Sequence, residues 1–196
     1  MDQRYLSGDC QLYKTLLYYP CKRVETMRRS ASKSMSASAF MRRIPETVRL
    51  RLPPQLRSFE WRARSYLVQL FFGSPAIHFE AWLLKRMGCI EIGLHFESRK
   101  RTVNERWFRL FDRYLIEVKA ELGPGVELER WDKGWAKIYE TVPLAPLDEA
   151  LLDKVADRLA RMISVLQPIS ERGQNLSDRP DALHPPSGPA RQRSRS

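Results

Sequence analysis

Two histidines and two glutamates fall close together in this chain: His78 and Glu80, then His95 and Glu97. Imidazole and carboxylate within reach of one another are the ingredients of a metal site or of an acid–base pair. Their spacing follows a period of two. Ile90, Ile92, Leu94 and Phe96 are apolar, so the interleaved Glu91, Gly93, His95 and Glu97 must share the other face of a strand. With Met87 and Gly88 as the turn of a hairpin, Phe79 faces Phe96, Ala81 faces Leu94 and Leu83 faces Ile92 on the core side. The opposite face then sets His78 against Glu97, Glu80 against His95, Trp82 against Gly93 and Leu84 against Glu91. Opposed His and Glu side chains also stabilise a sheet without any catalysis, by about 0.2–1 kcal/mol per pair. No HExxH or paired CxxC spacing accompanies them. His78, Glu80, His95 and Glu97 therefore stand as candidate metal ligands, no catalytic residue is assigned, and no cofactor is expected.

A second hairpin is written around Asp132-Lys133-Gly134, with glycine where a three-residue loop needs a left-handed residue. Setting Trp131 opposite Trp135 pairs Glu129 with Lys137 and Leu128 with Ile138, which are chemically sensible partners. If both hairpins lie in one sheet, a single face carries Trp82, Trp131, Trp135 and Tyr139 among carboxylates such as Glu129. Grouped exposed aromatics usually mark a partner surface. The acidic surround argues against base stacking, which normally comes with a cationic groove. These five residues are the candidate partner-binding set. The first helix or residues 41–52, where Val48, Leu50 and Leu52 alternate like a further strand, are the alternative cover for this face.

The elements that position these faces are marked by spacing and punctuation. After Pro53-Pro54, the residues Leu56, Phe59, Ala63, Tyr66, Leu67 and Leu70 recur at helical intervals and predict a helix that Gly73-Ser74-Pro75 stops. Thr102-Val103-Asn104-Glu105 matches a capping box and opens a helix with Trp107, Leu110, Phe111, Tyr114, Leu115, Val118 and Leu122 inward, ended by Gly123-Pro124. A final helix is predicted from about Asp148 to Leu166, ended by Pro168. The expected fold is α+β, in the order α-ββ-α-ββ-α. It is an antiparallel sheet of two hairpins with helices packed on one face, and two hairpin-plus-helix units hint at an internal repeat.

The ends read differently. Leu12, Leu16 and Leu17 with neighbouring tyrosines spell a short helix, and Arg28 to Ser38 is basic and Ser-rich. Residues 1–40 are expected to be a disordered basic leader, 41–169 a single α+β domain, and 170–196 a disordered Pro/Arg/Ser tail. Residues 1–53 carry eleven Lys and Arg against four Asp and Glu, whereas residues 54–169 carry eighteen against sixteen. The net charge of +11 thus lies mostly outside the core, and Arg28, Arg29, Arg42 and Arg43 are its candidate nucleic-acid contacts. No apolar run reaches the roughly 18–20 residues that span a bilayer. Cys10, Cys21 and Cys89 lack metal-ligand spacing, which fits a reducing, cytoplasmic setting with no membrane partner.

Phosphate-loop and nucleophile-elbow motifs are absent. Glu117-Val118-Lys119 has the ExK spelling of some nucleases but sits within a helix, where Val118 belongs to the core stripe. Arg106, Arg109 and Arg113 form a basic line on that helix, an ordinary solvated face. The run Glu91-Ile92-Gly93-Leu94-His95-Phe96-Glu97, an Asn-led helix, Leu122-Gly123 and Val126-Glu127-Leu128-Glu129-Arg130-Trp131-Asp132 resemble small uncharacterised bacterial proteins. The pattern is also similar to a bacterial domain of unknown function sometimes found behind restriction-type nuclease modules. The likeness covers about residues 56–169, transfers no catalytic residue, and implies at most a DNA-related partner. The expected function is a non-enzymatic interaction domain for a protein partner or a homodimer. Alternatives are nucleic-acid association through the basic tails and a metal-dependent enzyme at the His/Glu face.

Overall fold

The computed structural model describes residues 34–177. The short helix expected near Leu12, Arg28 and Arg29 lie outside the described residues, as do Cys10, Cys21 and the chain beyond 177. Helix α1, Ala37–Arg51, starts at Ser36, whose hydroxyl accepts the Ala39 amide proton at 3.2 Å. That bond satisfies one of the free donors of the first turn. Residues 41–51 are therefore helical and not a strand, with Leu52 as the C-cap. Val48 and Leu52, four apart, are buried, while Leu50 between them is 79% exposed, so the spacing of four governs.

The largest departure from the expected order follows. Pro54–Leu56 form one 3-10 turn, and the chain then makes a hairpin of β1 (Glu60–Arg64) and β2 (Leu67–Phe71) where a helix was expected. Glu60-Trp61-Arg62-Ala63-Arg64 alternates charged and apolar residues, as an edge strand does. Pairing of β2 with β3 buries Val68 and Leu70 on one face and Gln69 on the other, which helical spacing would not.

Strands β3 (Ile77–Leu84) and β4 (Cys89–Phe96) are joined by a 3-10 turn, Lys85–Met87, and by Gly88 at a φ of 66°. This connection closes on Leu84 and Cys89, so the register differs by two from the expected one. His78 pairs with His95, Glu80 with Gly93, and Trp82 with Glu91. A slip of two leaves every side chain on its expected face.

The long middle helix is two, α2 (Arg101–Arg113) and α3 (Leu115–Leu122), broken at Tyr114. The capping box does not form. Lys100 occupies the cap position without a side-chain bond, and Glu105 instead accepts from Arg109 and Arg130. The Asn104 side chain ties the start down by accepting from Ser98 N and donating to Ser98 O and Gly134 O at 2.8–3.0 Å. Strands β5 (Glu127–Trp131) and β6 (Trp135–Pro143) keep the expected register, Trp131 to Trp135 and Glu129 to Lys137. In their loop Gly134 has a φ of 72° and Lys133 one of 63°.

Helix α4, Glu149–Ser177, runs through Pro168 instead of ending there. Leu166 and Ile169 continue its buried stripe, and Gly173 lies against Leu110 and Trp107 of α2, packing that outweighs one lost backbone bond. The sheet is six-stranded and antiparallel in the order β1-β2-β3-β4-β6-β5, so three hairpins replace two and the repeat is absent. Its apolar face, including Val68, Phe79, Ile92, Leu94 and Ile138, joins α1, α2 and α4 in one core. Arg51 bonds Asp153 and Asp157 across α1 and α4.

Gly93 marks the tightest point. A Cβ there would lie 2.6 Å from the Ile138 carbonyl oxygen and 2.7 Å from the Tyr139 Cβ, both on β6. Gly93→Ala must spread two central strands and should lower stability by about 1–3 kcal/mol, measured as a fall in the urea midpoint at unchanged slope.

Candidate functional site

Alternation along β2, β3, β4 and β6 gathers Gln69, His78, Glu80, Glu91, His95 and Lys137 on the polar face of the sheet, and all six are buried. Burial of this much polarity is costly unless each group finds a partner. Most do. The Gln69 amide nitrogen donates to Glu80 Oε2 at 2.7 Å and to His78 Nε2 at 2.8 Å. Its carbonyl oxygen accepts from Arg62 Nε, so its partners fix its orientation. His78 Nδ1 donates to the Pro75 carbonyl at 2.9 Å, which makes Nε2 the lone-pair nitrogen of that ring. Lys137 Nζ donates to both Glu91 oxygens, at 2.8 and 2.9 Å, and lies 4.0 Å from the Tyr139 ring centroid and 5.2 Å from that of Trp131.

His95 is the exception. Its ring stacks on His78 at 5.6 Å and meets the Trp131 edge at 6.1 Å, leaving 1% of the residue exposed. Nδ1 reaches Glu97 Oε1 at 3.4 Å, but Nε2 has no hydrogen-bond partner, the nearest Glu91 oxygen being 3.6 Å away. One donor atom from each of His78, His95 and Glu97 lies within 4.8 Å of the other two. Glu80, the fourth candidate ligand, is engaged by Gln69 and sits 3.3 Å from His78.

The electrostatics follow from these partners. Burial pushes the Glu80 carboxyl upward. The neighbouring His78 and His95 imidazoles and the Gln69 amide outweigh it, and Glu80 titrates below the usual carboxylate range. The Tyr139 hydroxyl is pushed well above its ordinary value by burial and then by Glu129 and Glu127.

The aromatic candidates surround this network. Trp82, Trp131, Trp135 and Tyr139 are half-buried and Glu129 is exposed. Trp131 packs on Trp135 at 5.6 Å, and the cation over Trp131 and Tyr139 is the chain's own Lys137. Arg42 and Arg43 are exposed on α1, far in sequence from these strands, and Arg43 bonds Glu149. Gln69 and the Glu91–Lys137 pair escaped the sequence reading. Gln69 falls where leucine and aromatic spacing predicts a helix, although the alternation of Glu60 to Arg64 beside it is a strand signal. Comparison with protein-family models, with curated proteins and with solved structures gives no match.

Two outcomes test this network. Lys137→Met strands the buried Glu91 carboxylate and should cost about 3–5 kcal/mol, while Lys137→Met combined with Glu91→Leu should recover most of it in the same denaturation experiment. A carboxylate with a depressed folded pKa stabilises the fold above the usual carboxylate range and loses that contribution as pH falls through the folded pKa. Glu80→Gln should therefore be less stable than wild type at neutral pH, and the gap should close in acid when melting temperatures are followed against pH.

Proposed function

We propose that the polar face of the sheet binds a divalent transition-metal ion through His78, His95 and Glu97. The observation that carries this reading is the convergence of one donor atom each from His78, His95 and Glu97 to within 4.8 Å of one another, with both imidazoles buried. Two imidazoles and one carboxylate form a donor set suited to zinc, with a fourth position open to water or a small ligand. The surroundings support it. His78 donates its Nδ1 proton to a backbone carbonyl, the outer contact that metal-bound imidazoles commonly make. An ion at His78 Nε2 would displace the Gln69 amide, which keeps Glu80 as its acceptor. Tetrahedral bonds of about 2.0–2.1 Å bring donor atoms to about 3.4 Å apart, so small side-chain rotations close the set. All six buried polar groups are expensive beside an apolar alternative, and such groups concentrate where a protein does chemistry.

The protein-partner reading of Trp82, Trp131, Trp135, Tyr139 and Glu129 has less support, because Lys137 already fills the aromatic recess. Titration with cobalt(II) after chelation separates the two. A stoichiometric tetrahedral absorption band, lost in His95→Ala and His78→Ala and weakened about 10–100-fold in Glu97→Gln, is expected. An unchanged band in His95→Ala, or no band in wild type, would overturn the metal site.

A further inference from the structure

The geometry points to a second binding surface: the outer face of α2 is a phosphate-backbone site for duplex nucleic acid. It does not depend on the metal site. Between residues 99 and 113 the chain carries Arg99, Lys100, Arg101, Arg106, Arg109 and Arg113 against only Glu105 and Asp112. A groove of about 600 Å³ runs along this face, lined by Arg101, Thr102, Glu105, Arg106, Arg109 and Arg113. All four of its arginines are exposed. Glu105 takes Arg109 and Arg130 as its partners, and these guanidiniums hold its carboxyl down to about 2. Among the described residues Arg101, Arg106 and Arg113 have no carboxylate within ion-pair distance. Three cationic side chains on one face thus remain unneutralised.

The start of α2 adds to this field. Its first turn contains no acidic residue, no side chain caps its free amides, and three basic residues crowd there. Positive charge at a helix N-terminus opposes the helix dipole, and a bound anion relieves the conflict. The Arg101 stem lies beside Gly134, where an added Cβ would sit 2.7 Å from its Cγ.

The composition of the groove selects the partner. Guanidinium groups bind phosphate through two parallel hydrogen bonds, and here arginine outnumbers lysine. A helix rises about 1.5 Å per residue, so Arg101 to Arg113 spans about 18 Å, the reach of several consecutive phosphates. Protein-interface hot spots are Trp, Tyr or Arg side chains packed in desolvated pockets, whereas this lining holds no aromatic residue and its arginines are exposed. Single strands bind through stacking on exposed aromatics, but Trp107 and Phe108 of α2 face the core. That leaves sequence-independent contact with a duplex backbone.

Fluorescence anisotropy of the full chain with a DNA duplex of about 20 base pairs, at several salt concentrations, tests this. Arg101→Gln, Arg106→Gln and Arg113→Gln combined should weaken binding at least about tenfold and reduce the salt slope by about three. Arg28→Gln with Arg29→Gln should change neither. Matched circular-dichroism melts exclude unfolding, since all three groove positions are exposed. The proposal is overturned if wild type does not bind, if the groove variant binds as wild type does, or if a poly-glutamate peptide competes as well as the duplex.

Discussion

Strand β4 hydrogen-bonds to β3 on one side and to β6 on the other along its whole length, from Cys89 to Phe96. Its strict alternation gives Ile90, Ile92, Leu94 and Phe96 to the core and leaves Glu91, Gly93 and His95 to the opposite face. The constraint propagates outward. Because Gly93 has no side chain, β6 can approach closely enough for Tyr139 to cover it. Lys137 then arrives beside Glu91, and Gln69 on β2 arrives beside His78 and Glu80. The polar network is thus a by-product of one apolar stripe, held in register by the burial of that stripe.

The strands between residues 77 and 143 were the most legible part of the sequence, because a period of two is hard to imitate where nearly all the apolar positions are large. The β5–β6 register was readable from Glu129, Lys137 and the Trp pair, which have matching partners on only one alignment. The β3–β4 register was not, since a turn of Lys85–Met87 plus Gly88 and a two-residue turn leave the same faces in place. Residues 54–71 misled because leucine and aromatic spacing fits a helix locally, while the hydrogen bonds that decide the matter come from β3. Pro168 misled for a similar reason: the contacts of Ile169 and Gly173 lie beyond it in sequence and against α2 in space.

The candidate site was legible in its residue types and not in its geometry. His78, His95 and Glu97 were visible as a cluster, yet the stacked rings, the orphaned Nε2 and the role of Gln69 arise only from pairing His78 with His95. Electrostatically the described residues separate two regimes. On the sheet the buried Glu91 carboxylate is matched by Lys137 and the buried Glu80 carboxylate by the Gln69 amide beside His78, as low dielectric demands. The exposed charges of α2 are left unbalanced, which water and salt permit.

Helices α1 and α4 meet in the core although Arg43 and Glu149 are 106 residues apart. During synthesis, therefore, Phe40, Met41, Ile44 and Val48 meet β1 and β2 first and wait about a hundred residues longer for α4. Contacts of such long sequence separation are slow to form and leave apolar surface uncovered meanwhile. The α1–α4 contact closes only after the whole sheet and α2 have been made.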